Sequence, residues 1–202
     1  MDITGYRAIV IGGSAGGIEA LSVIVRALPG DFGLPILAVQ HLHPTDTGYL
    51  ATYLDGLSSL TVIEARDKEP VVRGFVYLAP ANYHLLVEKD ETLSLSNDEK
   101  VNWARPSIDV LFESAARVWS KGLVGVILSG ANSDGTAGMQ LIARYGGLTI
   151  AQTPSSTVHS PMPRAAIDAG CIALVLRPDE IAAHLVHLGP ATAKATEKAV
   201  FT

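Results

Sequence analysis

Short, almost uninterrupted apolar runs alternate with helical patterns along most of this chain, and that alternation restricts the fold more than any other feature. A strand that is apolar on both sides must be buried on both faces, which a parallel sheet with helices above and below provides. Strand patterns fall at 6–12, 35–40, 61–64, 74–78, 84–88, 93–96, 124–128, 148–151 and 172–176. Helical patterns fall at 17–27, 45–56, 108–120, 135–145, 163–169 and 179–188. The runs 84–88 and 93–96 are separated by Lys89-Asp90-Glu91-Thr92, which predicts an antiparallel hairpin inserted before the parallel order resumes. The expected fold class is α/β: a doubly wound, mostly parallel sheet with helices on both faces and a short antiparallel hairpin. At 202 residues, 48% hydrophobic and 17% charged, the chain can bury a core of its own. One domain is expected over 1–190, followed by an Ala/Lys/Thr-rich tail at 191–202.

Charge and cysteine content narrow the setting. A net charge of −5 with no Lys/Arg run argues against nucleic acid as a partner. The apolar runs are too short for a membrane span, so no membrane insertion is expected. The opening Met1-Asp2-Ile3-Thr4-Gly5-Tyr6-Arg7 has neither the charged nor the apolar region of a signal peptide. Cys171 is the single cysteine and sits in an apolar run, which suits a reducing cytoplasm.

Chemistry is concentrated where strands end. Gly12-Gly13-Ser14-Ala15-Gly16 closes the first strand pattern and opens a helix, the G-x-S-x-G form of a nucleophile elbow. Glycines there are expected to supply backbone conformations that a side chain would block. The other reading is a phosphate-binding or plain strand-to-helix turn. The loop lacks the Lys-Ser/Thr of a P-loop and the spacing of a dinucleotide fingerprint, which disfavours nucleotides. In an open parallel sheet, ligands bind beyond the carboxyl ends of the strands. His41 follows the second strand pattern and Asp134 follows the run 124–128, so serine, histidine and acid can converge there. Each has an ordinary alternative: His41 as a loop histidine, Asp134 as a helix cap. His43 is a rival base, although Pro44 and strand alternation turn it away from the side of His41. His184 and His187 have i, i+3 spacing but no acidic or cysteine partner nearby, so a surface or packed pair is expected and no metal site. His84 and His159 stand isolated.

With these residues placed, the chain resembles the catalytic domain of the chemotaxis protein-glutamate methylesterase family, CheB. The similarity runs in order from Arg7 to Leu188. It passes through Ile11-Gly-Gly-Ser-Ala-Gly-Gly-Ile-Glu-Ala-Leu21, Val39-Gln-His-Leu-His-Pro44, Val76-Tyr-Leu-Ala-Pro80, His84-Leu85 and Arg105-Pro-Ser-Ile-Asp-Val-Leu-Phe112. It continues with Gly125-Val-Ile-Leu-Ser-Gly130, Asp134-Gly135, Ala151-Gln152, Met162-Pro163 and Ala166-Ile167. The resemblance implies a Ser14/His41/Asp134 triad and an oxyanion held by backbone N–H groups near Ala15 and Ala131. It also implies hydrolysis of glutamyl methyl esters on a methylated chemoreceptor or receptor-like protein, with no metal or organic cofactor. Arg105, Ser107 and Asp109 either line the approach to that site or form a loop entering a capped helix. Departures from the family pattern are Ala15 after the nucleophile, Asn132 for a glycine, and proline in Ser160-Pro161-Met162-Pro163. Many members carry an N-terminal receiver domain, whereas this sequence opens at the first catalytic-domain strand. Phosphorylation control is then expected either from a separate receiver protein or not at all. A protein-glutamine deamidase using the same constellation, and a catalytically silent binding module, are the alternative readings.

Overall fold

Ile9 and Ile11 enter one hydrophobic core while Ala8 and Val10 enter another, as burial of a strand on both faces requires. The structure is a computed structural model that describes residues 5–43 and 48–189. In chain order its elements are β1 (Ala8–Gly13), α1 (Gly17–Ala27), β2 (Ile36–Gln40), α2 (Tyr49–Asp55), β3 (Thr61–Glu64) and β4 (Phe75–Leu78). Then follow β5 (His84–Val87), β6 (Leu93–Ser96), α3 (Ile108–Trp119), β7 (Leu123–Ile127) and α4 (Thr136–Arg144). The chain closes with β8 (Leu148–Gln152), α5 (Pro161–Asp168), β9 (Leu174–Leu176) and α6 (Pro178–Leu188).

The main sheet is parallel throughout and ordered β3-β4-β2-β1-β7-β8-β9, while β5 and β6 pair antiparallel in a separate hairpin. The expected fold class is the one observed. Helices α1, α2 and α6 cover one face through Leu21, Ile24, Leu54 and Leu185. Helices α3, α4 and α5 cover the other through Leu111, Phe112, Ile142 and Met162, and the hairpin adds Leu85 and Leu93 to that core. After β1 the chain builds outward through β2, and after the hairpin it returns to the other side of β1 with β7. The carboxyl ends of β1, β2 and β7 therefore surround a topological switch point, where an open α/β sheet leaves a crevice.

Differences from the expected elements are confined to their ends. Helix α5 starts at Pro161 and not at 163, because proline at the first helical position gives up no hydrogen bond. The last strand shortens to Leu174–Leu176. Two single 3-10 turns lie at element ends, Ser120–Gly122 after α3 and Pro154–Ser156 after β8. Residues 45–47 of the second expected helix and the expected tail at 191–202 lie outside the described residues. No helix among the described residues is long and apolar enough to cross a membrane.

The two framing glycines of the serine turn serve different needs. Gly16 has φ +73°, a conformation unfavourable for L side chains, and a Cβ there would sit 2.7 Å from Val158 Cβ. Gly12 lies in regular strand; what it supplies is space, since a Cβ would overlap Ile108 Cγ2 at the start of α3. The expectation that both glycines are conformational thus holds for Gly16 alone. Gly12→Ala is expected to cost about 1–3 kcal/mol through overpacking, read from urea unfolding. An unchanged midpoint would contradict this account of Gly12.

Candidate active site

Ser14 leaves the end of β1 and is pinned from both neighbouring strands. Its N–H donates to Ser129 O beyond β7 (2.9 Å), and its carbonyl accepts from Gly17 N–H (2.8 Å) and Gln40 Nε2 (2.7 Å) at the end of β2. Ser129 Oγ also donates to Ala15 O (2.7 Å) and accepts from His159 N–H (3.0 Å). Gln40 is buried, and among the described residues its Oε1 has no hydrogen-bond partner. The elbow is thus held from the β2 side by the Gln40 amide.

His41 follows directly. Gly13 and Gln40 are register partners, and His41 N–H donates to Gly13 O at 3.0 Å, so Ser14 and His41 leave adjacent parallel strands side by side. His41 Nε2 lies 2.9 Å from Asp134 Oδ2, with the imidazole largely covered and the carboxylate wholly buried. A carboxylate only accepts, so Nε2 carries the proton and Nδ1 keeps the lone pair. Ser14 Oγ makes no hydrogen bond to His41; such bonds often tighten only when substrate binds. His43, the rival base, is exposed.

Asp134 precedes α4 but does not cap it, since the N-cap is Gly135. Its carboxylate instead serves the start of α3. Oδ2 accepts from Ile108 N–H (2.7 Å) as well as His41. Oδ1 accepts from Ser107 Oγ (2.8 Å), Asn102 Nδ2 (2.9 Å) and Asp109 N–H (3.2 Å). Ser107 occupies the N-cap position of this helix but makes no side-chain cap bond; its hydroxyl donates to Asp134, which takes the helix N–H groups itself. Asp109 returns the arrangement, accepting Gly138 N–H (2.7 Å) in the first turn of α4. Asn102 joins the two acids, because its Nδ2 also donates to Asp109 Oδ2 (2.7 Å). Each acid therefore meets the positive end of the other's helix, with one amide between them.

The electrostatics differ sharply between the two. Burial pushes Asp134 upward most strongly as a single effect, yet donors from His41, Asn102, Ile108 and Ser107 together leave it below the ordinary 3.8. Asp109 is raised to about 6, chiefly by burial, with the Asp134 charge adding to it against the Gly138 and Asn102 bonds. Below about pH 6 Asp134 is thus the anion of the cluster, and above it both acids are ionised.

The remaining expected residues occupy the rim. Ala15 and Ala131 are exposed, and among the described residues neither backbone N–H has a hydrogen-bond partner. Arg105 lines the cleft, but its guanidinium is turned to the protein: it donates to Asn97 O (2.6 Å), Asp98 O (2.8 Å) and Asn82 Oδ1 (2.9 Å). These bonds make it a strut of the rim, the loop alternative weighed for its motif. Asn132, a departure from the family pattern, accepts Asp134 N–H through Oδ1 at 3.2 Å. His84, which stood isolated in the sequence, is buried and fixes the approach to α3. Its Nδ1 accepts Ser107 N–H (3.1 Å), so the proton is on Nε2, which donates to Glu99 O (3.0 Å). Gln40, Asn102, His84 and Ser129 had been given no role. Only Gln40, adjoining His41, carried a positional hint.

The two acids generate a pH prediction. Between 3.8 and about 6 the folded protein holds the Asp109 proton more tightly than the unfolded chain. Asp109 alone therefore makes stability fall as pH rises through that window, by up to about 3 kcal/mol. Asp134 has the opposite sign: its contribution is present above 3.8 and is lost as pH falls through its lower folded value. Carbon-13 NMR of the carboxyls should place the Asp109 midpoint near 6 and Asp134 below 3.8. Asn102→Ala should move the Asp109 midpoint upward, since it removes a donor to the anion. Two ordinary aspartate midpoints would contradict the cluster.

Comparisons with known proteins agree with this geometry. The family model described as CheB methylesterase matches residues 9–185. A relative from Leptospira interrogans, provisionally assigned as a protein-glutamate methylesterase/protein-glutamine glutaminase, is 48% identical over 183 residues, covering 91% of this chain and 95% of that one. The protein-glutamate methylesterase/protein-glutamine glutaminase of Symbiobacterium thermophilum is 43% identical over 176 residues, covering 87% of this chain and 49% of its own. This chain thus spans nearly all of the first relative and about half of the second. The crystal structure of the Thermotoga maritima CheB methylesterase catalytic domain superposes with a TM-score of 0.87 at 38% identity, covering 91% of this chain and 98% of that one. The sheet order, the serine turn between β1 and α1, and these matches along nearly the whole domain make the chain a member of the CheB methylesterase family.

Proposed function

We propose that this protein is a serine hydrolase that removes methyl esters from glutamate side chains of a chemoreceptor-like protein in the cytoplasm, releasing methanol. One observation carries the reading: His41 is hydrogen bonded to the buried Asp134 at the strand end beside the Ser14 turn, in a chain of this family. Ser14 Oγ adds to the ester carbonyl while His41 Nδ1 takes its proton. Asp134 holds the imidazole in that tautomer and stabilises the cation that forms. The acid thus faces Nε2 and the base is Nδ1, the reverse of the assignment in serine proteases. The tetrahedral oxyanion is placed against the N–H groups of Ala15 and Ala131, each worth about 2.7–4 kcal/mol when well aimed. On collapse, His41 Nδ1–H protonates the departing methoxide. Water, deprotonated by the same nitrogen, then releases glutamate and restores Ser14.

The double name of the relatives favours a second leaving group at the same site: attack on a glutamine amide would release ammonia in place of methanol. Ammonia measured against methanol from one receptor preparation separates the two. Ser14→Ala should lower methanol release from methyl-labelled receptor by about 10³-fold or more, with an unchanged circular dichroism spectrum. Wild-type turnover by a folded Ser14→Ala protein would overturn the assignment.

A further inference from the structure

Trp103 is 95% exposed, whereas the other tryptophan, Trp119, is 4% exposed in the core. Its place is a tight turn closed by Ala104 N–H to Val101 O (2.9 Å) and Val101 N–H to Ala104 O (3.2 Å). Asn102 (φ 52°) and Trp103 (φ 64°) both adopt the left-handed conformation that such a turn requires. Asparagine tolerates that conformation through its short polar side chain; tryptophan does not, and such strain gathers at functional sites. The mount is firm. Asn102 ties the turn to Asp134 and Asp109, and Arg105 ties the following residue to the 97–98 backbone. The backbone that carries the indole is therefore fixed relative to the carboxylate that holds His41.

Trp103 and His41 line the same cleft, of about 270 Å³, together with Leu42, Lys100 and Asn132. Among the described lining residues there is no carboxylate, while Lys100 and Arg105 are basic. Arg105 is committed to the rim, so the exposed Lys100 is the cation that faces the cleft. A bulky aromatic side chain standing in water on a braced turn, beside the proposed catalytic histidine, resembles the anchors that dominate protein interfaces.

We propose that Trp103 is a docking and specificity residue for the polypeptide that carries the glutamyl ester. An acidic segment of that substrate lies along the cleft, an apolar side chain of the segment covers the indole, and Lys100 faces its carboxylates. The proposal rests on the methylesterase reading, and two probes separate the two. One is a synthetic acidic peptide bearing a single glutamyl γ-methyl ester and a neighbouring leucine; the other is N-acetylglutamate γ-methyl ester amide. Trp103→Ala should raise KM for the peptide so that the ratio of peptide to small-ester kcat/KM falls about tenfold. Trp103→Phe should recover most of it, and Lys100→Glu should raise the peptide KM and flatten its dependence on salt. An unchanged ratio in Trp103→Ala, or a shift in oligomeric state with peptide KM untouched, overturns the proposal. If the wild-type protein cleaves neither ester, the methylesterase reading fails and binding alone decides this one. In Ser14→Ala protein, acrylamide quenching of the exposed indole should fall as the peptide is raised to about 1 mM, the top of the usual KM range. Quenching that does not change would count against Trp103 as the docking site.

Discussion

The Asp134 carboxylate is the group on which the site and much of its scaffold depend. An ionised acid with no solvent exposure is tolerable only if donors replace the water it has lost. Here the donors come from the opening turn of α3, the Ser107 hydroxyl, the Asn102 amide and the His41 ring. Satisfying this one charge therefore fixes where α3 begins, where the 101–104 turn sits, and which nitrogen of His41 bears a proton. Asp109 repeats the arrangement toward α4, and the amide of Asn102 donates to both acids. Because Asp109 is raised and Asp134 lowered, below about pH 6 the pair keeps its negative charge on the member that touches the histidine. The group proposed to assist catalysis is also the cap of a structural helix.

Topology brings the other two groups to that carboxylate. Parallel pairing of β1 with both β2 and β7 delivers the Ser14, His41 and Asp134 segments to one rim. The serine turn is then trapped between Ser129 on one side and Gln40 on the other. Gly12 admits Ile108 against the first strand, so the helix whose N–H groups meet Asp134 can approach this closely. Packing of the central strand and donation to the acid are thereby linked through one residue.

Much of this was legible in the sequence, and the reason is periodic. Unbroken apolar runs such as the one in β1 and amphipathic stretches such as α3 report burial through spacing alone, so element order and sheet type could be read directly. The Ser14, His41 and Asp134 candidates were legible because each sits where a run ends. What escaped were bonds between residues distant in sequence, which leave no spacing to detect. Asn102 reaches Asp109 and Asp134, and His84 reaches Ser107, across 7 to 32 positions. The cap alternatives for Ser107 and Asp134 each looked to the nearest helix, whereas the carboxylate accepts from the neighbouring helix and the hydroxyl serves the carboxylate. Arg105, expected near substrate, spends its N–H groups on the rim backbone and on Asn82, contacts that no motif could reveal.

The central claim is that Asp134 activates Ser14 through His41. The most direct measurement is the rate at which a fluorophosphonate probe labels Ser14, mapped by peptide mass spectrometry, in wild-type protein and in folded Asp134→Asn. The account predicts modification confined to Ser14 in the wild type and a rate lower by about 10³–10⁴-fold in the variant, as the imidazole loses its tautomer and its counter-charge. Equal labelling of both proteins, or a wild-type protein whose Ser14 is never modified, would contradict it.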